Sequence, residues 1–227
     1  MVSSQSSTRA EVKPGSPAAS RTTSARGPGA HWFEVDGLYL PRAVGGHPAL
    51  DFVNTFAGWS EAEGGDFLKT YDHLAVWASV SGLLEAGPAR ALRRRAATRR
   101  AEADSILADA RAFRADLHAL ALAPGDPRAL RGVNHVVRRA AAKAELVQAT
   151  TSAPRWSVGG GLERPLLTVA WAASEFLTQH DLSTVGACPG DGCGWVFIDP
   201  PGRRRWCSMQ WCGNRAKVRA HAERHRV

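Results

Sequence analysis

CPGDGCGWVFIDPPGRRRWCSMQWCGNRAKVRAHAERHR, residues 188–226, contains every cysteine of the 227-residue chain. Cys188 and Cys193 are spaced C-x4-C, and Cys207 and Cys212 repeat that spacing after thirteen intervening residues. Two short-spaced thiol pairs separated by one hairpin's length of chain are the pattern of a tetrahedral four-thiolate zinc site. Pro189, Gly190 and Gly192 suit a tight turn that folds the first pair of sulfurs toward one metal. Trp195–Ile198 and Arg204–Trp206 are expected to pair as short strands around Pro200-Pro201-Gly202. A helix is expected from Ser208 onward, so that Cys207 and Cys212 lie at its first turns, where helix amides offset thiolate charge. Four sulfurs close the coordination sphere, which points to one structural zinc per chain and away from a catalytic one. An iron–sulfur cluster is the alternative that the donor set leaves open. His221 and His225 are spare imidazoles that four cysteines make unnecessary. Hairpin, strands and a helix carrying the last ligands resemble a treble-clef finger.

The same segment carries the charge. The chain is +8 overall. Residues 31–199 hold 17 basic and 19 acidic residues, whereas residues 200–227 hold eight basic and one acidic. Concentrated positive charge points to a polyanion, nucleic acid first. Arg203, Arg204, Arg205, Arg215, Lys217 and Arg219 are the candidate contacts. Arg215, Arg219, Ala222 and Arg226 fall on one helical stripe, and Arg215 and Arg219 are the candidates for reading base edges. Trp206 and Trp211 either pack the metal knuckle or stack on bases. The plain alternative is an Arg-rich solubilising tail, since the chain has 25 Arg and 4 Lys.

Upstream, residues 1–30 are rich in Ser, Thr, Pro, Gly and Ala without an aromatic, and read as a disordered tail. They contain no apolar signal region, and no run in the chain approaches the roughly 20 apolar residues of a membrane span, so a cytoplasmic, membrane-free protein is expected. Asp36-Gly37 predicts a hairpin within 31–40, and Pro48 a short helix. Thr70 is expected to cap a helix over 71–83. Leu92, Ala103, Ile106, Ala110, Phe113, Leu117 and Leu120 predict one long helix over 88–123. Asp126-Pro127 opens another to about Lys143. Residues 145–148 and 155–158 read as a hairpin, and 165–178 as an apolar-faced helix. The expected fold is therefore mostly α (α+β): a tail at 1–30, a helical domain with small hairpins over 31–182, and a zinc finger over 183–227. The two folded parts are expected to be separable, with Cys207→Ser melting the finger alone.

Trp206-Cys207-Ser208-Met209 and Cys212-Gly213-Asn214-Arg215-Ala216-Lys217 resemble the CGNR zinc finger of bacterial proteins. His47-Pro48-Ala49-Leu50-Asp51-Phe52-Val53-Asn54-Thr55 is similar to the opening motif of its partner domain, ABATE. The resemblance covers residues 31–225 and implies a stress-responsive transcription regulator, with a sensing N-terminal domain and a DNA-binding finger. Pro200-Pro201-Gly202 departs from it, standing where a Ser and an Asn among basic residues are expected. The leading reading is duplex DNA binding; RNA binding and protein interaction are the alternatives. No nucleophile elbow, phosphate loop or carboxylate pair points to an enzyme. His47, Asp51, Asn54, Trp59, Trp77 and Arg114 are candidates for lining a small-molecule effector pocket. His47 and Asp51 also fit a structural pair. A homodimer would suit a two-fold operator, although no heptads announce an interface.

Overall fold

The structure is a computed structural model and describes residues 31–59, 65–148 and 153–225. The tail expected at 1–30 and Arg226 lie outside these residues. β1 (Trp32–Val35) and β2 (Leu38–Pro41) form the first hairpin. Its turn residues, Asp36 at φ 51° and Gly37 at φ 76°, are both left-handed, which matches the twist of the flanking strands. α1 (Pro48–Val53) follows, capped by His47, whose Nδ1 accepts from the Ala49 N–H at 3.1 Å. β3 (Phe56–Ala57) and β4 (Gly65–Asp66) make a second short hairpin. α2 (Tyr71–Val80) begins at Thr70, whose N–H donates to His73 Nδ1 at 3.3 Å.

The long helix expected over 88–123 is two helices, α3 (Ala86–Thr98) and α4 (Arg100–Leu122), broken at Arg99. The buried stripe of α3 is Ala89, Leu92 and Ala96. Continued at three- and four-residue steps it would bring Arg99 or Arg100 into the core. The break leaves both arginines exposed. α4 then restarts the stripe at Ala103, Ile106 and Ala110.

α5 (Pro127–Ala141) is capped by Asp126, which accepts from the Arg128 and Ala129 amides at 2.8 and 3.1 Å. β5 (Ala144–Val147) and β6 (Arg155–Val158) pair, and α6 (Arg164–Gln179) carries Leu166, Leu167, Val169, Ala170, Ala173 and Phe176 into the core. There α1, α2, α4 and α6 meet. Phe52 lies 5.3 Å from Trp77 and 6.1 Å from Phe113 between ring centroids. Each such side chain contributes roughly 1.5–3 kcal/mol by leaving water.

β7 (Val185–Ala187) and β8 (Val196–Ile198) form the last hairpin. Here the structure corrects the strand pairing: β8 pairs with residues upstream of Cys188, and Arg204–Trp206 forms no strand. α7 (Asn214–Arg224) ends the described chain and buries none of its residues. The fold is thus mostly α with four two-stranded antiparallel hairpins among the described residues. No described helix is long and apolar enough to cross a membrane.

Burial lowers the pKa of His47, His73 and His118 below the ordinary 6.5. Below pH 6.5 the unfolded chain then binds more protons than the fold, so stability falls as pH drops through that value. His73→Gln keeps an acceptor for Thr70 and removes one titration. Thermal melts between pH 7.5 and 5.5 should show a shallower fall for His73→Gln than for the parent chain. Equal slopes would show that His73 does not contribute.

Candidate metal centre

The first two ligands sit on one tight turn between β7 and β8. The Cys188 amide donates to the Trp195 carbonyl at 2.7 Å, and the Cys193 amide to that of Gly190 at 2.9 Å. A Cβ on Gly190 would lie 3.0 Å from Cys212 Sγ, so a larger residue there would push that sulfur by a few tenths of an ångström. The second pair flanks Ser208, which caps a single π turn over Met209–Gly213 and accepts from the Gln210 amide at 3.2 Å. All four cysteines are buried, and their sulfurs lie within 4.8 Å of one another. Cys193 and Cys207 are 3.6 Å apart and Cys207 and Cys212 3.5 Å. Zinc–sulfur bonds of about 2.3 Å in a tetrahedron separate sulfurs by roughly 3.8 Å, so the cluster can hold one zinc ion. Four thiolates around a divalent ion leave net negative charge. Arg215 Nη2 donates to Cys212 Sγ at 3.1 Å, and that hydrogen bond raises the Arg215 pKa above its usual value.

The metal module is docked on the helical body. Asn54, only 1% exposed, donates through Nδ2 to the Val196 carbonyl at 2.9 Å. Its Oδ1 accepts from the Val196 amide at 2.8 Å, so the side chain completes β8 as a neighbouring strand would. Val196 lies in the core of the body, Phe197 in the cluster around the cysteines, and Ile198 against the body again. Trp195 Nε1 donates to the Phe56 carbonyl at 2.9 Å, and the Gly58 amide to that of Cys193 at 3.1 Å. Trp59 stacks on His118 at 4.0 Å, and a Cβ on Gly194 (φ +65°) would strike Trp59 at 2.7 Å.

The basic residues divide by geometry. Arg204 is half-buried and lies over the Phe197 ring at 4.2 Å. Its guanidinium donates to the carbonyls of Trp206, Val44 and Cys207, so it ties the finger to the body. Arg219 forms an exposed ion pair with Asp191. Arg203, Arg205, Lys217 and Arg224 are exposed. Nothing in the basic run 203–205 distinguishes Arg204 from its neighbours before the fold is known.

The six effector candidates are not all brought together. Asp51 and Trp77 share a cavity of about 520 Å³ with Phe33, Arg42 and Val80. His47 caps α1 and lies 5.0 Å from the Phe176 ring. Asn54 and Trp59 belong to the docking contacts, and Arg114 pairs with Asp66 at 2.8 Å. Asp51 Oδ1 accepts from the amides of Val44 and Gly45 at 2.8 and 2.7 Å, holding the loop before α1.

Comparison with known families agrees with this architecture. The ABATE family, described as "Putative stress-induced transcription regulator", matches residues 46–180, and the CGNR zinc finger family matches residues 184–225. No curated protein matches the chain. The first match spans more than half of the sequence, and the chain belongs to the ABATE family, with a CGNR zinc finger at its C-terminal side.

Proposed function

We propose that this zinc-finger regulator binds duplex DNA through its finger, acts by binding and not by catalysis, and receives a small-molecule signal in its helical domain. The observation that carries the DNA reading is the set of exposed cations on a module whose fold the metal fixes. Arg203, Arg205, Lys217 and Arg219 all reach solvent there, while the body upstream carries a slight excess of acid. Arg204 and Arg215 are left out of the contact set, because the first holds main-chain carbonyls and the second a cysteine sulfur. The sensing reading is supported by the cavity beside Asp51, since the loop that Asp51 holds also accepts hydrogen bonds from the finger.

Four phosphate contacts predict a slope of about −3.6 for log affinity against log salt. Alanine at Arg203, Arg205 or Lys217 should flatten it by about one unit and weaken all sequences alike. Arg204→Ala should instead lower thermal stability. A labelled duplex titrated at several salt concentrations tests this. Unchanged binding across the alanine series would remove the finger as the contact surface, and tighter binding to RNA than to any duplex would replace DNA with RNA.

A further inference from the structure

Between α7 and the aromatic wall beside the metal runs a groove of about 810 Å³, within the roughly 300–1,000 Å³ of small-molecule sites. One wall holds His31, Trp195 and Trp211, whose ring centroids are 5.9–6.3 Å apart. Their planes cross at 67–87°, so none is stacked face to face on another of the three. Trp195 is buried, whereas His31 and Trp211 reach solvent and can take a flat π-system against them. α7 forms the opposite wall and turns Arg215 and Arg219, four residues apart, into the groove. No described carboxylate lines it, but Cys193, Cys207 and Cys212 do, and Arg215 offsets part of their charge through its hydrogen bond to Cys212 Sγ. The Arg219–Asp191 pair at its edge is more than half exposed on both sides, and an exposed pair of that kind is weak enough for a phosphate oxyanion to displace. Val218 also lines the groove and is 69% exposed, an apolar side chain left uncovered on a helix that is otherwise largely polar.

An aromatic face, guanidinium groups across from it and an apolar edge between them fit a planar ring that carries a phosphate. We propose that this groove binds a nucleotide, with the base against the His31 and Trp211 rings and the phosphate at Arg219 and at the guanidinium nitrogens of Arg215 that do not hold Cys212 Sγ. The inference deepens the nucleic-acid reading above and rests on it for its source: the nucleotide is an unpaired one at a strand end or gap, reached while the exposed cations hold the flanking duplex. Arg215 and Arg219 then serve the groove instead of reading base edges in an intact major groove, and Arg203, Arg205 and Lys217 are left to hold the flanking duplex. Stacking of this kind tolerates any base, because every base has a π-face.

The test uses the full zinc-loaded chain with three probes: a blunt duplex, the same duplex with a three-nucleotide overhang, and free deoxyadenosine monophosphate. Binding at fixed salt is expected to be at least fivefold tighter for the overhang than for the blunt duplex. Val218→Glu places a carboxylate in the groove without touching the core, and should abolish that ratio. Trp211→Ala should abolish it too, but Trp211 packs near the cysteines, so Val218→Glu is the deciding variant. A ratio of one in the parent chain, or a ratio that Val218→Glu leaves intact, overturns the groove and leaves duplex binding standing. Quenching of tryptophan fluorescence by the mononucleotide, lost in Val218→Glu and without affinity for either duplex, supports the groove as a free-nucleotide site while the nucleic-acid reading fails. No response to any probe removes both.

Discussion

Stripping zinc from the full chain is expected to unfold the finger and also to lower the melting temperature of the helical body by roughly 10 °C. The finger itself has little apolar core, so metal binding supplies much of its folding free energy. The effect on the body follows from the docking contacts. With β8 gone, the buried amide of Asn54 loses both of its partners, at a cost of about 1–3 kcal/mol. Removing Val196 from the core costs about 1.5–3 kcal/mol more. For a domain of this size each kcal/mol moves the midpoint by about 2–4 °C. Cys207→Ser should reproduce the chelator result. Circular dichroism at 222 nm, with and without chelator, measures it. An unchanged helical midpoint would mean that the two parts fold independently, as their sequences alone suggest.

Asp66→Asn is expected to cost about 3 kcal/mol, the second large effect. Arg114 lies in α4 with a side chain only 5% exposed, and its two terminal nitrogens each meet one Asp66 oxygen at 2.8 Å. Asparagine keeps an acceptor for the Leu68 amide, which Asp66 Oδ1 binds at 2.8 Å, but removes the charge. A buried guanidinium without a counterion is strongly destabilising, whereas replacing both partners often is not. Asp66→Asn with Arg114→Met should therefore recover most of the loss, although Thr55 forfeits the hydrogen bond that it accepts from Arg114. Urea midpoints for the two single variants and the double variant form the cycle that checks this. A double variant as unstable as the sum of the singles would contradict it.

The metal centre was legible because ligand spacing is local: four thiols in two C-x4-C pairs need no knowledge of the fold. The β1–β2 turn and the Asp126 cap were legible for the same reason. The break at Arg99 was not, because the apolar stripe resumes in step at Ala103, and the two arginines that stand on it between read equally as part of one helix's charged face. The partner of β8 was missed because residues 185–187 and 204–206 are equally short, and local propensity cannot choose between them. Asn54 reads in the sequence as a pocket residue, yet its partner lies 142 residues away, a separation at which sequence pattern is silent. Asp66 carries no signal in the sequence. It sits beside a glycine pair, and nothing nearby announces the buried arginine that it neutralises.

A single peptide plane, Val44–Gly45, touches both halves of the molecule. Its N–H meets Asp51 at 2.7 Å and its carbonyl meets Arg204 at 2.8 Å. A rigid plane cannot rotate away from one partner and keep the other. Anything that pulls Asp51 from this amide also loosens Arg204 from the segment bearing Cys207, and the reverse holds equally. Thermodynamic reciprocity then sets the size of the effect: if a ligand beside Asp51 weakens zinc binding by some factor, zinc weakens that ligand by the same factor. Metal affinity would thereby gauge any ligand that binds beside Asp51, whatever its identity.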